Sequence, residues 1–214
     1  MTPRHAAALA LVGWYVLTSP LSWAQSHTGA LKTFTAPDGA FTFCYSDPLI
    51  HCEKNQQGDW TPDICFGYVC DDVVQKAEGD LKSVGCFAYP RDKFTNTPAF
   101  QGATFSVEVV DGSATEKGCP AAKIPDVFDE RVGTTTIHGV SFEVLSYSTV
   151  GAGSGIDGRI YRAFHRGKCY QLGISRGYTN VVDFDPPVRE LNEADDREVD
   201  SRLDQALKSF RFLK

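Results

Sequence analysis

The sequence lacks an excess of positive charge, and this excludes one large class of function. Lysine and arginine number 21 against 27 aspartates and glutamates, so the 214-residue chain has a formal net charge of −6. An acidic surface repels phosphate, and we therefore expect no nucleic-acid partner. With 42% hydrophobic and 22% charged residues, the chain also lacks the biased composition of collagen-like, coiled-coil, disordered or multi-span membrane proteins. The length fits a single globular domain.

Complete catalytic and metal-binding motifs are also missing from the sequence. Residues 153–158 read G-x-G-x-x-G, but the residues after them alternate like a strand, whereas dinucleotide binding needs a helix there. Ser154 does not stand in a G-x-S-x-G elbow. Acidic pairs such as Asp71 and Asp72 do not follow the calcium-loop pattern. We therefore expect no catalytic residue set, no metal site and no cofactor.

What the sequence does have begins with an export signal. Arg4 precedes an uninterrupted apolar run over residues 6–17, Pro20 follows it, and Ser22-Trp23-Ala24 places small residues at −3 and −1 of a cleavage point. This order predicts a secretory signal peptide over residues 1–24, since about 12 apolar residues are too few to span a bilayer. We expect a secreted or periplasmic protein with no stable membrane anchor. N-terminal sequencing of exported protein tests this, and an intact first residue would contradict it.

The part of the chain after the signal holds all seven cysteines: Cys44, Cys52, Cys65, Cys70, Cys86, Cys119 and Cys169. Thiols in an oxidising compartment form lasting disulfides, whereas zinc and redox sites favour close pairs such as C-x-x-C, which this sequence does not contain. Pairing six of the seven allows about 105 schemes. We expect the four cysteines from Cys52 to Cys86 to pair among themselves and Cys119 to pair with Cys169. Cys44 is expected to stay a free thiol because it lies inside a strand-like run.

The pattern along the mature chain predicts one domain over residues 34–214, after a flexible lead-in at 25–33. Residues 46–80 are polar, cysteine-rich and aperiodic, and they read as an inserted excursion that disulfides order. The clearest hairpin runs from Gly158 to Ser175, because Arg166-Gly167 between two alternating runs suits a primed turn. Apolar residues on both faces of its strands predict a sheet that is covered on both sides, at least locally.

One helix is predicted near the C-terminus. Asn192 can cap it, and acidic residues in the first turn suit the positive end of the helix dipole. Apolar residues then recur at helical spacing and form a single stripe. The stripe consists of Val199, Leu203, Ala206, Leu207 and Phe210.

The two ends of the mature chain resemble the PsbP-like family of exported α/β domains. The resembling segments are residues 34–45 (FTAPDGAFTFCY), residues 167–172 (GKCYQL) and the end of the helix at residues 209–212 (SFRF). The resemblance implies an α+β fold, an antiparallel β-sheet with helices packed on it, and a role in binding or assembly with no catalytic motif to transfer. The family usually lacks this cysteine framework, and residues 46–80 and 111–133 have no counterpart in it.

These features together predict an exported, disulfide-stabilised and non-catalytic domain that binds a protein or another envelope ligand. Ordered loops on a rigid sheet commonly carry recognition, so Trp60 and Tyr68 in the excursion are the expected contact residues. The alternative is a secreted hydrolase in which His51 or His165 acts beside a carboxylate. A cavity that holds either histidine next to an aspartate or glutamate would favour the hydrolase.

Overall fold

The computed structural model describes residues 30–54, 60–62, 65, 80–111, 119, 128–186 and 188–214. The predicted signal peptide at residues 1–24 lies outside this part of the chain. Within it the chain forms eleven β-strands, one α-helix and a 3₁₀ turn at Val181–Asp183. The strands are β1 Lys32–Thr35, β2 Phe41–Tyr45, β3 Ile50–Lys54, β4 Trp60–Thr61, β5 Asp80–Tyr89, β6 Phe100–Asp111, β7 Phe128–Ile137, β8 Val140–Gly151, β9 Ser154–His165, β10 Lys168–Thr179 and β11 Arg211–Phe212, and the helix is α1, Glu193–Ser209.

Eight strands form one antiparallel sheet in the order β4-β3-β5-β6-β10-β9-β8-β7. The strands from β7 to β10 are joined by two-residue turns of one kind. Each turn holds two successive residues at positive φ, namely His138 and Gly139, Ala152 and Gly153, and Arg166 and Gly167. This is the geometry of a primed hairpin turn, and glycine takes the second position without steric cost. The predicted hairpin around Arg166-Gly167 is confirmed by the pairing of β9 with β10.

The predicted helix is confirmed together with its cap and its buried stripe. The Asn192 side chain accepts hydrogen bonds from the backbone N–H groups of Ala194 and Asp195, and the Asp195 side chain completes a capping box. All five residues of the stripe are buried: Val199, Leu203, Ala206, Leu207 and Phe210. Arg202 is the one charged residue of the helix that is buried, and it donates a hydrogen bond to the Ser46 hydroxyl. Because the helix buries one face and keeps its other charged residues less buried, it forms a cover for the sheet.

A second sheet of three short strands, in the order β1-β2-β11, shares one core with α1 and the large sheet. The Phe43 ring of β2 lies 4.9 Å from the rings of both Phe87 and Phe105 in the large sheet. The Phe41 ring lies 5.1 Å from that of Phe210, directly after α1. The core therefore lies between the large sheet and a layer made of α1 and three strands. We call this side of the large sheet its helix side, and the opposite side its far face.

The predicted fold class, an α+β sandwich with helices packed on an antiparallel sheet, is wrong. The antiparallel sheet is present, but the described chain is mostly strand and holds one α-helix. Strands complete the layer over the sheet because Phe41 and Phe43 alternate along β2 and are buried as a strand face. The expectation of several helices came from the resemblance alone, whereas the residues themselves predict only α1.

Strands also form in two segments where the sequence shows no strand pattern. β1 begins inside the lead-in at 25–33, because pairing with β2 places Phe34 opposite Phe43. There the Phe34 ring lies 5.2 Å from the rings of Phe43 and Phe87. β3 and β4 lie within residues 46–80, and β3 extends the large sheet by pairing with β5. Pairing and packing with other strands, and not a local sequence pattern, therefore determine where these strands form.

The far face of the large sheet is buried in part, as the apolar residues on both faces of the hairpin strands predict. One cluster holds Cys52, Cys65, Cys86 and Ala88, and another holds Tyr147, Ile156 and Ile160. A row of three polar side chains lies on the same face, in register across β9, β10 and β6: Arg162, Gln171 and Glu108.

The polar row is buried and hydrogen-bonded from end to end. Arg162 Nε donates to Gln171 Oε1 at 2.9 Å, and Gln171 Nε2 donates to Glu108 Oε2 at 2.7 Å. Burial raises the pKa of Glu108 to about 7, while hydrogen bonds with Gln171 and Ser106 and the charge of Arg162 act in the opposite direction. A buried carboxyl that titrates near neutral pH makes the stability of the fold depend on pH.

Candidate functional site

The structure describes only part of the segment that the sequence assigns to recognition. Trp60 begins β4, the outermost strand at one end of the large sheet, and is in register with Lys54 of β3. Tyr68 and Cys70 lie outside the described residues. Recognition by Trp60 and Tyr68 therefore stays a prediction.

Both candidate histidines pack on phenylalanine rings. His51 stacks on Phe87 at 4.6 Å, and its Nδ1 lies 3.4 Å from a carboxylate oxygen of Glu53. Burial lowers the pKa of His51, and the charge of Glu53 offsets part of this effect. His165 stacks on Phe212 at 4.0 Å, and burial lowers its pKa too. The lowered pKa values favour the neutral form of both rings.

Disulfides join the large sheet to segments beside it. Cys52 is bonded to Cys65, and Cys119 is bonded to Cys169. Cys86 is disulfide-bonded as well, and Cys44 is a free thiol. Because such bonds persist in oxidising compartments and are rare in the cytosol, they fit an exported protein.

Two adjoining cavities lie on the helix side of the large sheet, next to α1. The larger, of about 770 Å³, lies between the β8–β9 turn, the end of β10 and the start of α1. The smaller, of about 630 Å³, lies between β8, β9 and the middle of α1. Asp157 and Arg176 line both cavities, so we describe the two as one feature, the helix-side groove. Each volume lies within the range of small-ligand sites, roughly 300–1,000 Å³.

Arg176 stands where the two cavities meet and joins the sheet to the helix. Its Nη1 donates to Asp196 Oδ1 at 3.0 Å, and its Nη2 donates to the Asp196 backbone oxygen at 3.1 Å and to a carboxylate oxygen of Asp200. Hydrogen bonds between ionised groups are stronger than neutral ones, and the Arg176 side chain is only 27% exposed. These bonds hold the wall of the groove in place between β10 and α1.

Tyr178 forms part of the groove floor, and its ring covers Gly155. They lie opposite each other in the pairing of β10 with β9, and a Cβ atom on Gly155 would overlap the tyrosine ring. The ring therefore occupies the space above the glycine, where no other residue type would leave room for it. Ala99, Phe100 and Leu191 add apolar surface to the larger cavity.

Carboxylates dominate the charged lining of the larger cavity. Asp157, Glu190 and Asp196 line it together with a single cation, Arg176, which is already bonded to α1. Asp157 accepts a hydrogen bond from the Ser148 hydroxyl at 2.6 Å. Among the described residues, neither Asp157 nor Glu190 forms an ion pair with a cation. The larger cavity thus combines an apolar floor with a negative wall.

Neither histidine lines the groove, and no cysteine lines it either. A third cavity of about 750 Å³, beside Phe94 and Phe184, also has neither residue type in its lining. A cavity that holds a histidine beside a carboxylate was the feature expected of a hydrolase, and these three cavities do not provide it.

The described residues place no three His, Cys, Asp or Glu side chains close enough together to hold a metal ion. In the same part of the chain, no helix has both the length and the apolar character needed to cross a bilayer.

The groove residues escaped the sequence analysis, although a signal for them exists. Arg176 and Tyr178 follow Ile174 at the period of two that defines one face of β10, and this face is the one that packs on the helix. Asp196 and Asp200 are four residues apart, so they share one face of α1. A cation on the core side of a strand and two acids on one helix face predict an ion pair between the two elements.

No protein-family model matches the chain, and no curated protein matches it. The resemblance to the PsbP-like family therefore stays a prediction.

Two solved structures are similar to this chain over most of their length. One is LpqN of Mycobacterium tuberculosis, described as involved in cell envelope biogenesis, with 9% identity over 89% of this chain and 88% of that chain and a TM-score of 0.42. The other is the Ran-binding protein Mog1p of Saccharomyces cerevisiae, with 12% identity over 86% of this chain and 96% of that chain and a TM-score of 0.40. Scores at this level carry no argument about function.

Proposed function

We propose that this is an exported, non-catalytic binding protein that takes its ligand in the helix-side groove. The observation that carries the proposal is the preformed concavity, in which Arg176 holds the wall and Tyr178, whose ring covers Gly155, forms part of the floor. Ligand sites are typically concave and apolar, with a few placed polar groups. The lining supplies carboxylates and hydroxyls without an imidazole or a thiol, so neither candidate histidine lies where it could act on a ligand bound there.

Export is the second part of the proposal, and two independent features support it. The first 24 residues have the order of a cleavable signal peptide. The bonds between Cys52 and Cys65 and between Cys119 and Cys169 require a compartment that does not reduce them. We therefore place the mature protein in the periplasm or outside the cell.

Tyr178→Ala is expected to weaken ligand binding in the groove by about tenfold or more, because it removes a large aromatic part of the floor. The test screens a fragment library against the ¹⁵N-labelled mature protein and follows the backbone amide shifts. We expect hits to cluster on the amides of Gly153 and Thr179 and their neighbours.

Tyr178→Phe is the matched control, because it keeps the ring over Gly155 and removes only the hydroxyl. Hits that persist in Tyr178→Phe and disappear in Tyr178→Ala support the proposed site. Hits that gather at the cavity beside Phe94 and Phe184, or that scatter over the surface, contradict it.

A second contact surface is proposed from the sequence alone, in the excursion that contains Trp60 and Tyr68. Aromatic side chains supply much of the energy of protein recognition. We expect Trp60→Ala and Tyr68→Ala to reduce the amount of partner captured by the purified protein. Undiminished capture by both variants rejects this surface and leaves the groove proposal untouched.

A further inference from the structure

We propose that the occupant of the helix-side groove is a peptide segment of a partner protein, in which a lysine or arginine lies next to an apolar residue. The inference rests on the proposed function and names the class of its ligand.

The charge of the larger cavity favours a cationic side chain. Its single cation, Arg176, is bonded to Asp196 and Asp200, while Asp157 and Glu190 have no cationic partner among the described residues. A lysine or arginine that enters there finds carboxylates without displacing an existing ion pair. An anionic ligand would meet the same carboxylates with no available cation to offset them.

The smaller cavity is less favourable for a cation, because Arg159 lines it as well as Arg176. Two of its three carboxylates, Asp200 and Asp204, are already paired with Arg176 and Lys208, and the third, Asp157, is shared with the larger cavity. The basic side chain therefore belongs in the larger cavity, and the smaller one receives a neutral part of the peptide.

The floor of the larger cavity favours an apolar residue next to the cation. Tyr178, Phe100 and Leu191 present aromatic and aliphatic surface within the same lining as the carboxylates. A tyrosine face also attracts an ammonium or guanidinium group. Val150 adds apolar surface to this lining and is 73% exposed, so part of the apolar lining stays in contact with water when the groove is empty.

The backbone around the groove is already hydrogen-bonded, which indicates recognition through side chains. The Thr179 N–H donates to the Ala99 carbonyl at 2.8 Å, and the Asn180 N–H donates to the Gly153 carbonyl at 2.7 Å. These groups are not available to pair with an added strand. Two adjoining cavities that meet at Arg176 suit successive side chains of one peptide better than a single compact ligand.

The test uses three acetylated and amidated pentapeptides that differ only in the central residue, which is lysine, norleucine or glutamate, with leucine on both sides. Each is titrated into the ¹⁵N-labelled mature protein. We expect the lysine peptide to shift the amides of Gly153 and Thr179 and to bind at least about tenfold more tightly than the glutamate peptide. Its affinity should fall as salt is raised, because salt screens the attraction.

Charge substitutions at Val150 test both where the peptide binds and which sign of charge the site prefers. We expect Val150→Lys to weaken binding of the lysine peptide by about fivefold, and Val150→Glu to strengthen it by a similar factor. Val182 is 74% exposed, close to the 73% of Val150, but does not line the groove. Val182→Lys and Val182→Glu are therefore matched controls and should change the affinity less than the Val150 variants do, although the neighbouring Val181 lines the groove.

Equal or tighter binding of the norleucine or glutamate peptide overturns the proposed ligand class while the groove remains a binding site. Spermidine that shifts the same amides with an affinity equal to that of the lysine peptide also overturns it, because the ligand is then a small amine. If none of these probes shifts the groove amides, the peptide inference fails. The proposed function fails with it only if the fragment hits also avoid the groove.

Discussion

Replacing both Cys119 and Cys169 by alanine is expected to lower the free energy of unfolding by about 4 kcal/mol. The bond joins residues separated by 50 positions, and the entropy that a cross-link removes from the unfolded chain grows with the length of the loop. Cys169 is 1% exposed on β10, so the folded sheet fixes one end of the bond. Urea unfolding of the oxidised double variant, followed by circular dichroism, measures the loss.

The bond between Cys52 and Cys65 is an internal comparison for this prediction. Its sequence separation is 13, for which the same relation gives about 3 kcal/mol. Cys44→Ala is the control for cysteine removal as such, because Cys44 forms no disulfide, and should change stability by less than about 1 kcal/mol. A loss below about 1 kcal/mol for the longer loop, or a larger loss for the shorter one, contradicts the loop-length account.

Glu108→Gln is expected to change the free energy of unfolding in favour of the folded state, and this change is about 3 kcal/mol larger at pH 8 than at pH 4. The pKa of Glu108 is raised from an ordinary value of 4.5 to about 7 in the fold, mainly by burial. The folded protein therefore holds this proton more tightly than the unfolded chain does. The stability that protonated Glu108 contributes is fully present below the pKa of this carboxyl in the unfolded chain. It is lost as the pH rises through the pKa of the same carboxyl in the folded protein. Glutamine stays neutral, and its amide oxygen can still accept the bond from Gln171.

The measurement is the difference in unfolding free energy between Glu108→Gln and the parent protein across pH 4 to 8. Taking the difference cancels the contributions of His51 and His165, whose lowered pKa values act with the opposite sign and cost stability as the pH falls. Glu190→Gln removes an exposed carboxylate and should shift stability by less than about 0.5 kcal/mol at both ends of the range. A difference curve for Glu108→Gln that stays flat contradicts a buried, proton-linked carboxyl.

Local patterns in the sequence predict the elements whose cause is local. The turn at Arg166-Gly167 follows from one glycine between two alternating runs, and α1 follows from a cap, a first turn of acids and an apolar stripe. β1 and β3 carry no comparable pattern, because β1 depends on the packing of Phe34 against Phe43 and β3 depends on its pairing with β5. Contacts between residues far apart in the chain decide such strands, and a single sequence does not display them.

The polar row on the far face and the candidate site were both harder to predict, because the sequence does not show that their charged residues are covered in the fold. Glu108 sits between Val107 and Val109, so period-two alternation assigns it to a solvated face. The structure buries that face instead. Arg176 lies on the apolar face of β10, and its role becomes clear only from the structure, where its guanidinium bonds to Asp196. The burial of Glu108 and the pairing of Arg176 both depend on which segments cover the sheet, and only the tertiary structure shows this.

The most direct test of the groove as the binding site places a photo-crosslinker at its rim. Benzoylphenylalanine replaces Val150 in one protein and Val182 in another, and each is irradiated in cells that export the full chain. The account predicts a defined adduct from position 150 only, with the crosslinked partner peptide carrying lysine or arginine beside an apolar residue. The same adduct from both positions, or an attachment that maps to an acidic segment, would contradict it.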